Sequence, residues 1–208
     1  MSDRRWRDGS EDRIAGILRA ATDRSSGSDE LAAHIDDWPT RYHLDRRRTN
    51  LLRPLLVGSG MRVLDVGAGT GVNSRFLAEA GADVVAVEID DVLVGVLAEV
   101  TGEYPPERLR IVHSDAMAVD WDDLLGDGPW ALVANLPYNI SVPLVCDLLD
   151  AVPAIHRMVV MVQREVGERL VAAPGDDPYG LPSLKVRQPE NIDDMIDCRD
   201  MISSRTAA

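Results

Sequence analysis

The sequence predicts a doubly wound α/β fold, a mostly parallel sheet with helices on both faces. Three observations predict it. From Arg62 onward, short and nearly continuous apolar runs alternate with segments of helical spacing, the pattern of strands covered on both sides. The first run leads into Gly67-Ala68-Gly69-Thr70-Gly71, a loop whose backbone can approach a ligand closely. The fourth run stops abruptly at Asn135-Leu136-Pro137-Tyr138, a polar and aromatic turn.

Taken in order, residues 1–37 are rich in Arg, Asp, Ser and Gly and read as a mostly flexible polar arm. Ile14, Ile17 and Leu18 mark a short helix over 12–21, and Ser25-Ser26-Gly27-Ser28 reads as a linker. Trp38-Pro39 opens the main domain, expected to run from 38 to 188. Tyr42, Leu44, Leu51, Leu52, Leu55 and Leu56 recur at roughly helical spacing, with Asp45 as a cap at the start and Pro54 as a kink or end. Arg46-Arg47-Arg48 on that first turn opposes the helix dipole and reads as a solvated face or a phosphate contact.

Strands are predicted over 63–66, 84–87, 109–112, 131–134 and 158–162, and a sixth over 183–186. Helices are predicted over 72–80 (with Gly81 as its C-cap), 92–100, 142–149 and from 163 to about 172, with a short turn of helix over 122–125. Residues 189–208 read as an acidic tail.

The 208 residues, 45% of them hydrophobic, suffice for one domain with a real core. No apolar run reaches membrane-spanning length, and the first ten residues lack the apolar stretch of a secretory signal, so a cytoplasmic setting is expected. Cys146 and Cys198 form no C-x-x-C pair and read as free thiols. The four His show no paired spacing with Cys or acids, so no metal is expected. The net charge of -13 is uneven, +2 on residues 1–62 and -15 on residues 63–208, and the acidic body argues against broad nucleic-acid binding. A monomer is the default state.

In a doubly wound sheet the ligand crevice lies outside the carboxyl ends of the strands, where the strand order reverses. An order of 3-2-1-4-5 puts the glycine loop after strand one and the Asn135 turn after strand four on the same crevice. Gly67, Gly69 and Gly71 clear room for a ligand. Glu88, ending strand two, can accept both hydroxyls of a ribose. NAD and S-adenosylmethionine are equally served by these features. Asp115 ends strand three, where it can accept from an adenine amine or act as a turn residue. Asp65 within strand one must be hydrogen-bonded if buried, orienting loop amides or meeting a cofactor's amino group. Asn135 can donate and accept; Pro137 lacks an N–H and leaves the Leu136 carbonyl available; Tyr138 offers a ring for stacking. That set suits a planar base with an exocyclic amine.

V-L-D-V-G-A-G-T-G, V-E-I-D, S-D-A, N-L-P-Y-N-I-S and Q-R-E-V-G-E-R-L-V resemble, in order and spacing, the bacterial 16S ribosomal RNA adenine dimethyltransferases and their eukaryotic relatives. The resemblance covers roughly residues 62–184. It implies a Rossmann-like methyltransferase sheet, S-adenosyl-L-methionine as cofactor, and two methyl groups placed on an adenine amine of small-subunit ribosomal RNA. Asn135, Leu136, Pro137 and Tyr138 would then be catalytic. Gly67, Gly69, Gly71, Asp65, Glu88, Ile89, Asp115, Ala116 and Asn135 would line the cofactor. His43 and Leu44 stand where the family carries a G-Q-x-F-L segment over the cofactor, but Arg41-Tyr42-His43-Leu44-Asp45 matches it only faintly. The family continues beyond Tyr179-Gly180 into a strand hairpin and a basic RNA-binding domain, which this chain is expected to lack. The alternatives are a methyltransferase for a protein or small-molecule nitrogen, a non-catalytic cofactor- or RNA-binding scaffold, and an NAD oxidoreductase.

Overall fold

Five strands form one parallel sheet in the order β3-β2-β1-β4-β5. They are β1 (Arg62–Val66), β2 (Asp83–Glu88), β3 (Leu109–His113), β4 (Trp130–Asn135) and β5 (Ile155–Met161). The computed structural model describes residues 9–137 and 139–187. Tyr138, the first eight residues of the arm and the tail over 189–208 therefore lie outside the described residues.

The register places Val63 beside Val84 and Ala131, and Leu64 beside Val85 and Leu132. Successive side chains of a strand point to opposite faces, so the sheet feeds two cores. On one face Leu64, Val66, Val85, Val87, Leu132 and Ala134 pack with α7 (Ser141–Ala151), the short α6 (Trp121–Leu125) and Leu170 of α8 (Arg164–Val171). On the other, Val63, Val84, Ala131 and Val133 pack with α4 (Val72–Glu79) and a 3-10 segment, Arg46–Leu55. α5 (Asp91–Val100) covers the same face, with Leu97 against Ala86.

Two expectations change. Residues 183–186 are not a sixth strand but belong to a helix, α9 (Leu181–Val186), packed on α7 and α8. Pro182 fits a first helical turn, where no N–H is needed, and would break a strand ladder. The Gly180 amide donates to Ser183 Oγ, and that hydroxyl donates to the Arg169 carbonyl, which closes the turn. Four residues, two of them apolar, were too few to set a period.

The arm is also more ordered than its composition suggests. α1 (Glu11–Ala20) lies on α5, and Ile14 and Leu18 are fully buried. They join Leu31 of α2 (Asp29–Ala32), Leu44 of α3 (Trp38–Leu44), and Val96 and Val100 of α5 in a third core. Ile14, Ala15 and Leu18 make one helical face, and burying each large side chain is worth about 1.5–3 kcal/mol. The arm's abundant charges pair at its surface: Arg13 bridges Asp36 and Asp37, and Arg19 meets Glu99 on α5.

Asp45 caps the start of the 3-10 segment, as its sequence position predicts. It follows the last turn of α3, and its carboxylate accepts from the Arg47 backbone and side chain. The arginine triplet is likewise engaged within the protein: Arg46 with Asp29, Arg47 with Asp45, and Arg48 with the Tyr42 carbonyl. Arg46 and Arg47 form a solvated, internally paired face, while Arg48 is half-buried against Tyr42. Among the described residues, no helix is long and apolar enough to cross a membrane.

Candidate active site

The glycine loop and the Asn135 turn meet. A Cβ built on Gly67 would stand 3.5 Å from the Asn135 carbonyl oxygen, an ordinary contact distance, so the loop and the turn lie directly against each other where β1 and β4 end side by side. Gly67 and Gly69 have φ of +72° and +58°, which side chains disfavour. The loop is held from β2: the Val87 carbonyl accepts from the amides of Gly67 and Ala68. The turn is held from β5, where the Met161 carbonyl accepts from the Leu136 amide. The Pro137 carbonyl in turn accepts from Ile140 and Ser141 and starts α7.

Between them lies a cleft of about 850 Å³, part of it open to solvent. Of the residues expected to bind a ligand, His43, Gly67, Gly69, Glu88, Ile89, Asp115, Ala116, Asn135, Leu136 and Pro137 line it. Three do not. Leu44 packs into the third core, because the turn of α3 that aims His43 at the cleft aims its neighbour at α1 and α5. Gly71 is the N-cap of α4, and its Cβ would lie 2.5 Å from Leu97, so its task is helix-on-helix packing. Asp65 is buried behind the loop, accepting from Ser74 Oγ at 2.5 Å. Burial raises its pKa to about 6, against the lowering effect of Ser74 and Arg48.

Glu88 has a different partnership. One carboxylate oxygen accepts from the Gly69 amide at 2.8 Å; the other accepts from Ile89 and Asp90 at 2.8 and 2.9 Å. A carboxylate has about four acceptor sites, and three are taken, which leaves one for a ligand hydroxyl rather than two. Asp115 accepts from the Met117 amide as a turn residue while also facing the cleft, so both of its expected roles are compatible.

Sequence reasoning missed the other wall. Glu11, Tyr42 and Arg48 line the cleft from the N-terminal segment. Asn135 Nδ2 donates to the Tyr42 hydroxyl at 2.9 Å, and Thr70 Oγ1 donates to the His43 carbonyl at 2.9 Å. Both bonds join residues far apart in sequence and leave no local signal.

The donor set suits S-adenosylmethionine. Glu88 and Asp115 offer acceptors for ribose and amine, the glycine backbone leaves space, and Val66, Leu93 and Ile140 supply apolar contact for a base. Among the described residues, no group of three or more His, Cys, Asp or Glu is placed to hold a metal ion.

The family model described as ribosomal RNA adenine dimethylase matches residues 48–191. The chain is 45% identical over 168 residues to the ribosomal RNA small subunit methyltransferase A of Streptomyces avermitilis, covering 75% of this chain and 55% of that protein. It is 52% identical to the protein of the same name from Streptomyces coelicolor, covering 75% and 57%. The chain thus spans a little over half the length of these relatives. Among solved structures it is similar to a dimethyladenosine transferase from Plasmodium falciparum, with a TM-score of 0.56 at 26% identity over 65% of this chain and 47% of that one. The sheet order, the loop and turn on one cleft, and a match over more than half its length lead to one conclusion: this chain belongs to the ribosomal RNA adenine dimethylase family.

Proposed function

We propose that the chain is an S-adenosylmethionine-dependent methyltransferase that dimethylates the exocyclic amine of adenine in small-subunit ribosomal RNA, working in the cytoplasm. The observation that carries this reading is the shared cleft, with the backbone of Gly67 against the carbonyl of Asn135. S-adenosylmethionine, when bound, supplies a methyl group on a positively charged sulfur. Gly67, Gly69, Glu88 and Asp115 would hold it.

An adenine amine is a weak nucleophile because its lone pair is delocalised into the ring. Asn135 Oδ1 and the Leu136 carbonyl are two acceptors for its two hydrogens. Holding both favours a pyramidal nitrogen with its lone pair turned toward the donor side of the cleft. Positioning then accounts for most of the acceleration; no strong base is required before attack, and the methylated, cationic nitrogen afterwards gives its proton to water. Tyr138, next in the chain, is the expected stacking surface for the base.

The net charge of -13 favours a second reading, transfer to a protein or small-molecule nitrogen. One experiment separates the two. The full chain is incubated with S-adenosylmethionine and small ribosomal subunits lacking adenine methylation, with bulk protein as a parallel substrate, and the RNA is digested for mass spectrometry of its nucleosides. The proposal expects dimethyladenosine. Methylated protein with unmodified RNA would favour the second reading.

A further inference from the structure

We infer that Tyr42 is a positioning residue for this reaction: its hydroxyl holds the Asn135 side chain in place, with Oδ1 as the end turned to accept from the substrate amine. The inference rests on the proposed function and assigns a role outside the family match, which begins at residue 48.

A primary amide has one accepting end and one donating end. Only the accepting end is useful to an amine that must give up hydrogen bonds. Turned over, the same side chain would set its own N–H groups against those of the amine. Asn135 Nδ2 donates to the Tyr42 hydroxyl at 2.9 Å, so the donor end is engaged and Oδ1 is the end left to accept.

Tyr42 can hold this position because it is itself clamped. The Trp38 ring stacks on it, with centroids 5.1 Å apart and planes 21° apart. The Arg48 guanidinium lies 4.3 Å from the ring centroid, and Arg48 also donates to the Tyr42 carbonyl. His43 meets the ring edge-on at 5.0 Å. Helix α3 is fixed at its start by Asp37, which accepts from the Thr40 amide, and near its end by Thr70 Oγ1 on the His43 carbonyl. The hydroxyl is therefore placed by aromatic packing and by two anchors, one of them in the glycine loop itself.

The test is Tyr42→Phe in the full chain, which keeps the ring and removes the hydroxyl. Three quantities are measured: calorimetric affinity for S-adenosylmethionine, the 15N-resolved side-chain amide signals of Asn135, and steady-state methyl transfer to unmethylated small ribosomal subunits. The expected result is a fall in kcat of about fivefold to tenfold, the worth of one hydrogen bond. Donor affinity and KM stay unchanged, and the Asn135 amide protons lose protection from solvent exchange. Unaltered Asn135 amide signals in the variant overturn the inference, whatever the rate. So does a kcat within twofold of wild type. If the wild-type chain binds the donor but transfers no methyl group, the functional reading has failed and the positioning role falls with it. Turnover by wild type with an unaffected variant removes the positioning role alone.

Discussion

The cleft has two walls held in different ways. Gly67, Glu88 and Asn135 stand at the ends of hydrogen-bonded strands, and their positions follow from sheet register. Glu11, Tyr42 and His43 come from short helices that touch the sheet only through side chains and a few polar anchors. The first wall lies inside the region matched by the family, while Glu11, Tyr42 and His43 precede it. The contrast suggests a division of work: the strand-borne wall carries the chemistry, and the helical wall orients and encloses it.

The largest expected effect tests the strand-borne wall. Asn135→Ala should lower kcat by about a hundredfold or more, the usual cost of losing a group aligned with the reacting centre. Affinity for S-adenosylmethionine should change little. Parallel kinetics and calorimetry check both, and near-normal turnover would dissolve the distinction between the walls.

Next comes the packing of the helical wall. Leu18 is fully buried, so Leu18→Ala should lower the free energy of unfolding by about 2–5 kcal/mol in urea. A loosely tethered arm would show almost none of this.

A third effect lies behind the glycine loop. The folded pKa of Asp65 is about 6, above the unfolded value of about 3.9. The folded state therefore holds the proton more tightly, and stability from this group is present below pH 4 and lost as pH rises through 6. Asp65→Asn cannot titrate. Its stability relative to wild type should grow between pH 4 and 6 by about 1–3 kcal/mol and then level off. Urea midpoints across that range, beside a constant offset from the new amide, would show it. Arg19→Ala, which removes a surface pair with Glu99, should leave the midpoint where it is, since both side chains are well exposed.

How far each wall was legible in the sequence follows from the same contrast. Strand runs such as Trp130–Asn135 announce themselves by continuous apolar residues, and a parallel α/β topology then dictates where their carboxyl ends converge. The glycine loop and the Asn135 turn could therefore be put on one crevice before any coordinate. α1 was half legible: Ile14 and Leu18 marked a helix, but the charges around them hid that its partner is α5, some 80 residues away. Leu44 and Gly71 sat in the right motifs, yet side-chain direction sends one into a core and leaves the other supporting a helix. Glu88 was placed correctly, but its debt to three backbone amides depends on loop geometry that spacing does not encode.

Calorimetric titration of S-adenosylmethionine into the wild-type chain, Glu88→Gln and Asn135→Ala tests the single-cleft account most directly. The account predicts one site, weakened about tenfold or more by Glu88→Gln through its lost acceptor and disturbed Gly69 contact, and within about threefold of wild type in Asn135→Ala. Undiminished affinity in Glu88→Gln, or no binding to the wild-type chain, would contradict it.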